Sequence, residues 1–202
     1  MEETDLKPPK NFVVMAALFE GGLAVVAVAL GKLLGYPPLE TFHWSLPDFA
    51  WAMAATVPPL VVFYMCVKIS FRPLASTVKV IDELLVPLFR NCRVVELAII
   101  AMLAGLGEEM LFRVIVQQSL TDWIGGPAGP WIGLLAAALL FGMLHLLTPA
   151  YGIIAGLIGL YLGWLWMDSG NLLVPITVHA AYDFIALVYL VRIRKRPTSE
   201  EK

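Results

Sequence analysis

Ionisable side chains recur inside stretches of this sequence that are otherwise apolar enough for a lipid bilayer. Glu108, Glu109 and Arg113 lie within an apolar run from about Val94 to Leu120. His145 closes the run from Trp131 to Leu147, and His179 and Asp183 lie within Leu172 to Val191. A charge at membrane depth costs at least ~2.5–3.5 kcal/mol, so each needs a partner or a function. Glu109 and Arg113 are four residues apart, share a helix face and can pair. Glu108 points about 100° away from Glu109 and has no local partner. His145 follows Phe141 by four residues and His179 precedes Asp183 by four, so each pair also shares a face.

Polar groups from three helices that avoid lipid are expected to converge on one cavity. A carboxyl group in low-dielectric surroundings is a stronger base than in water, which suits general-base work near neutral pH. Glu108 and His145 together can polarise a water molecule for attack on a carbonyl carbon. His179 can donate a hydrogen bond to the oxyanion that develops. The reaction this describes is peptide hydrolysis without a covalent intermediate. A metal is the rival expectation. Glu108, His145, His179 and Asp183 suit zinc in type and number, although no two histidines have the spacing of a zinc-binding H-E-x-x-H helix. A second class of function competes with catalysis: a non-catalytic scaffold, chaperone or small transporter, in which these groups hold helices together or relay a proton. Such a protein tolerates Glu108→Gln but not the loss of Glu109 or Arg113, which leaves half of a buried pair unpaired.

Three motifs in order, Glu108-Glu109-x-x-x-Arg113, Phe141-x-x-x-His145 and His179-x-x-x-Asp183, resemble the CPBP superfamily, also called the Abi family. Its members are the CAAX-prenyl-protease-2-like and bacteriocin-processing membrane proteins. The resemblance covers roughly residues 94–190. It implies an intramembrane endopeptidase in which Glu108 and His145 activate water while His179 and Asp183 form the oxyanion pocket. Glu109 and Arg113 are then a structural ion pair, and Phe141 packs within its motif. The resemblance favours a metal-independent glutamate protease, with a zinc metalloprotease as the alternative. Where prenyl proteases carry Asn, this sequence has Asp183. An ionised Asp cannot donate to an oxyanion, so it is protonated, orients His179 or ligates a metal.

These residues require helices to position them. Of the 202 residues, 59% are hydrophobic and only 15% charged, against about 25% charged in a typical soluble domain. The mean hydropathy is +0.80. The expected fold is all-α: a polytopic bundle of about six membrane spans plus one amphipathic surface helix. The spans are about 12–34, 49–71, 94–120, 131–147, 150–167 and 172–191. Pro58-Pro59 is expected to kink the second. The stretch 72–93 repeats Val78, Ile81, Leu84, Leu85 and Leu88 at helical spacing among charges, which predicts the surface helix. Gly152, Gly156, Gly159 and Gly163 make one smooth face for close helix packing. Glu20 in the first span reads as a packing contact.

Residues 1–93 form an N-terminal part, 94–191 a four-span catalytic core and 192–202 a basic tail. Lys7, Lys10, Arg72, Lys79, Arg90, Arg93 and the tail cluster fall on one side, and the opposite loops hold no Lys or Arg. Both termini are therefore expected in the cytosol, with the plasma membrane the expected location. No cleavable signal peptide is expected. A net charge of −2 implies no nucleic-acid partner. The expected partners are a peptide or protein substrate and the bilayer. Cys66 and Cys92 fit neither a disulfide framework nor a zinc site. Substrate identity and oligomeric state are not encoded in any motif.

Overall fold

The computed structural model describes residue 9, residues 11–69 and residues 71–194. Lys7, Lys10 and the tail beyond Arg194, all used to orient the chain, lie outside the described residues. Among the described residues the structure is all-α, with no strand. Among the same described residues, four helical stretches are long and apolar enough to cross a membrane: Phe12–Leu34, Leu46–Lys68, Pro149–Ser169 and Leu173–Ile193.

The first, α1 (Phe12–Leu34), ends where Gly35 takes a left-handed φ of 82°. The second breaks at Thr56 into α2 (Leu46–Ala55) and α3 (Val57–Lys68). Its cause is the expected proline pair. Pro59 has no N–H to offer the carbonyl of Ala55 four residues earlier. That carbonyl accepts instead from the hydroxyl of Tyr161 at 2.9 Å. A neighbouring helix thus re-satisfies the freed backbone group.

The amphipathic stretch folds as α4 (Arg72–Val80), a wide-turned segment Ile81–Leu85 and α5 (Val86–Phe89). It faces outward with Lys79 and Glu83, 3.7 Å apart and well exposed. Thr77 and Thr148 join their hydroxyls at 2.6 Å, tying α4 to the start of α9 (Pro149–Ser169).

The chain is helical without interruption from Val94 to Ile124: α6 (Val94–Glu109), a wide-turned stretch Met110–Gln118 and α7 (Ser119–Ile124). Next come α8 (Gly129–Leu144), α9 and α10 (Leu173–Val188), the last continued by a wide-turned Tyr189–Ile193. The sequence predicts plain helix at all three wide-turned stretches. Their i→i+5 geometry adds a residue per turn and shifts the face presented. Ile81–Leu85 and Tyr189–Ile193 both contribute residues to the cavity described below.

α6 is the central helix, packed chiefly between α1 and α10, while α8 packs on α9. Two glycines allow this. A Cβ at Gly105 would stand 3.0 Å from backbone atoms of Ile176 and Ala180 on α10. One at Gly107 would stand 2.5 Å from the Glu20 carbonyl on α1. The outward side of α1 exposes Val14, Leu18, Phe19 and Val25, which is what a lipid-facing surface requires.

Candidate active site

Glu109 ends α6 and is fully buried, as is Arg113. The Arg113 Nε donates to Glu109 Oε2 at 2.6 Å. The same guanidinium donates through Nη1 to the Gly159 carbonyl at 3.0 Å and to Gln117 Oε1 at 3.3 Å. Gln117 donates in turn to the Gly163 carbonyl at 3.0 Å. The glycine face of α9 therefore does more than let helices approach. With no side chains in the way, its backbone carbonyls are open to the polar groups of the 110–118 stretch. A Cβ at Gly163 would stand 2.8 Å from the Arg113 guanidinium.

Glu109 also reaches a partner that its spacing along the chain does not announce. His179 Nδ1 lies 2.8 Å from Glu109 Oε1. The other imidazole nitrogen, Nε2, is 3.4 Å from Asp183 Oδ2. Arg113, Glu109, His179 and Asp183 thus form an alternating row of basic and acidic groups from the buried interior to the half-buried Asp183. The sequence predicts two separate pairs. The structure joins them into one network through Glu109 and His179, and it is Glu109 that fixes the His179 ring.

His145 sits at the C-terminal end of α8. Its Nδ1 is 2.9 Å from the Phe141 carbonyl oxygen. A carbonyl only accepts, so Nδ1 carries the proton and the neutral ring has a bare Nε2. That nitrogen faces Glu108 Oε2 at 3.8 Å, too far for a direct hydrogen bond. Among the described residues Glu108 Oε2 is buried with no hydrogen-bond partner.

Phe141 holds these groups in register. Its ring stacks on His145 with centroids 4.3 Å apart and planes at 18°. It meets His179 edge-on at 6.0 Å and lies 5.9 Å from the Arg113 guanidinium carbon. Gly159 leaves room for it, since a Cβ there would stand 3.2 Å from the ring.

Glu108, His145 and Asp183 open on one cavity of about 280 Å³, ample for several water molecules. Tyr151 and Tyr182 line it as well, with an apolar wall from Ile81, Leu85 and Phe89. Glu20 lines it too, although the sequence reads that residue as a packing contact. The signal for Glu20 was present: it is an acid alone in an apolar span. The signal for Gln117 was the four-residue step that continues from Glu109 through Arg113. The two tyrosines have no such signal, because aromatic residues are common throughout the spans.

The four candidate zinc ligands do not make a ligand set in this arrangement. His179 faces carboxylates with both nitrogens and so has none to offer a metal, whereas His145 keeps Nε2 bare. Among the described residues no three His, Cys, Asp or Glu side chains are grouped to hold a metal ion. Cys66 and Cys92 are both free thiols.

Residues 90–185 match the family model described as type II CAAX prenyl endopeptidase Rce1-like. That interval contains all three motifs and excludes α1 with Glu20. No curated protein and no solved structure matches the chain.

Proposed function

We propose that this chain, in which residues 90–185 carry the Rce1-like type II CAAX prenyl endopeptidase domain, is an intramembrane endopeptidase that hydrolyses a peptide bond with a water activated by Glu108 and His145. The observation that carries this reading is the 3.8 Å gap between Glu108 Oε2 and His145 Nε2. Both atoms are acceptors. A water lodged between them donates one O–H to each and presents its lone pairs to a carbonyl carbon. Glu108 takes the first proton as the water attacks and later returns it to the leaving amine. His145 keeps its tautomer throughout, because the Phe141 carbonyl holds Nδ1–H.

His179 is the oxyanion donor in this reading. Carboxylates, which only accept, face both ring nitrogens, Glu109 at Nδ1 and Asp183 at Nε2, so in this reading each nitrogen carries a proton and Nε2–H points to the cavity-lining Asp183. Asp183 shares that Nε2 proton in the resting state and yields it as charge grows on the substrate oxygen. Its carboxylate orients rather than donates. Glu109 and Arg113 set the position of His179 and do not touch substrate.

The topology that fits is six spans. The four apolar helical stretches are joined by Val94–Ile124 and by α8, with the 72–89 stretch along the cytosolic surface and both termini in the cytosol. Residues 94–191 then form the catalytic core, 1–93 an N-terminal part that covers it, and 192–202 a basic tail. The substrate is a peptide or protein segment reaching the cavity past the 72–89 stretch. The test is cleavage of a reporter substrate by membranes carrying each variant. Glu108→Gln and His145→Ala are expected to abolish cleavage while the protein inserts at normal levels. Full processing by Glu108→Gln would remove the base assignment.

A further inference from the structure

The cavity contains more acid than the proposed chemistry uses. Glu20 comes from α1, outside the family-matched interval, yet it lines the same cavity as Glu108. Its placement is determined by Gly107. Because that residue has no Cβ, the α1 backbone at Glu20 packs directly against α6, one residue from Glu108. The Oε2 atoms of Glu20 and Glu108 are both buried, and neither has a hydrogen-bond partner among the described residues.

The charges around the cavity do not balance. Asp183 faces His179, and Glu109 is matched by Arg113. Glu108 faces His145, whose Nε2 is an acceptor in the neutral ring. Among the described residues Glu20 makes no salt bridge, Glu20 Oε2 has no hydrogen-bond partner, and no Lys or Arg lines the cavity. Glu20 is half-buried with one oxygen enclosed, and a carboxylate so placed without a cation is stabilised by a donor brought from outside. Water serves Glu108 in the proposed reaction. Glu20 lies outside the proposed water-activating pair, on a helix held in place by a close backbone contact.

We propose that Glu20 is a specificity-determining residue that receives a basic side chain of the substrate, so that the protein selects peptides with a lysine or arginine flanking the scissile bond in an otherwise apolar segment. The apolar wall of Ile81, Leu85 and Phe89 suits the remainder of such a segment. The inference names the substrate class of the proposed peptidase and rests on that reading for the cleavage arm of its test, while its binding arm does not.

The experiment compares otherwise identical fluorogenic apolar peptides carrying Lys, norleucine or Glu at each position flanking the cleaved bond, presented to the full chain in lipid nanodiscs. The expected result is a preference for Lys over norleucine of about tenfold or more in kcat/KM at one position. Glu20→Gln brings that ratio to near one, and Glu20→Lys turns the preference toward Glu. Both peptides meet the same protein, so partial misfolding of a variant scales both rates and cancels in the ratio. Equal rates for Lys and norleucine with the unaltered protein, or a ratio unmoved by Glu20→Gln, overturn the proposal.

Binding of the same peptides, read by fluorescence anisotropy, separates the two readings. Preferential binding of the lysine peptide that Glu20→Gln removes, without cleavage of any peptide, upholds the basic-group site and defeats the peptidase. Equal binding of lysine and norleucine peptides defeats the basic-group site, whatever is cleaved.

Discussion

Glu108 and Glu109 are chain neighbours with the same side chain, and the fold treats them in opposite ways. Glu109 turns inward, accepts from Arg113 and His179, and is completely enclosed. Glu108 turns toward the cavity and leaves one oxygen without a partner. A satisfied buried charge is rigid and can position others. An unsatisfied one keeps its affinity for whatever enters. One helical step separates an acid enclosed in a network from one open to the cavity.

The sharpest way to break that comparison is to exchange the fates of the two acids. Glu108→Gln is expected to lower cleavage by about a hundredfold to ten-thousandfold, because the proposed general base is gone, with thermal stability unchanged or slightly raised. Glu109→Gln should instead act on the fold. Removing one partner of a buried ion pair costs about 3–5 kcal/mol, so a clear loss of folded protein in thermal unfolding is expected, with Arg113→Ala behaving alike. If Glu109→Gln were as stable as the parent and only inactive, the assignment of the two roles would reverse.

Phe141→Leu tests how the two regions are held together. It removes the stacking face of His145 and the edge contact to His179 at once. Loss of a buried aromatic ring costs a few kcal/mol through the cavity left behind. Cleavage should fall by about tenfold to a hundredfold beyond what the stability loss explains, measured per folded molecule. Gly163→Ala addresses the carbonyl cradle. A methyl group there crowds Arg113 and Gln117, and a destabilisation of about 1–3 kcal/mol is expected from overpacking. The smallest effect is expected from Asp183→Asn. The amide still meets His179, so the rate should stay within about tenfold of the parent. A complete loss would mean that the carboxylate itself takes part.

Much of this was legible without coordinates because the bilayer constrains sequence so strongly. Apolar runs announce helices, and an ionisable group inside one announces an inward face. The four-residue steps from Glu109 to Arg113, from Phe141 to His145 and from His179 to Asp183 describe contacts within single helices. Local geometry alone brings such residues together, and the structure has each in contact: 2.6 Å for the first, stacked rings for the second and 3.4 Å for the third. The kink at Pro58-Pro59 was readable for the same reason, since a missing N–H is a covalent fact.

The sequence by itself determined an all-α, lipid-compatible chain and the list of polar residues that had to avoid lipid. Tertiary structure alone decided which of them met. The link from Glu109 to His179 spans 70 residues, and no periodicity encodes a contact between helices. The acceptors for Arg113 and Gln117 are backbone carbonyls, which every residue type possesses and which no motif can mark. Glu20 faces Glu108's cavity because Gly107 lacks a Cβ, so α1 comes to rest there. Helical spacing fixes direction around one axis. The placement of one axis against another is settled by packing, and packing depends on every helix at once.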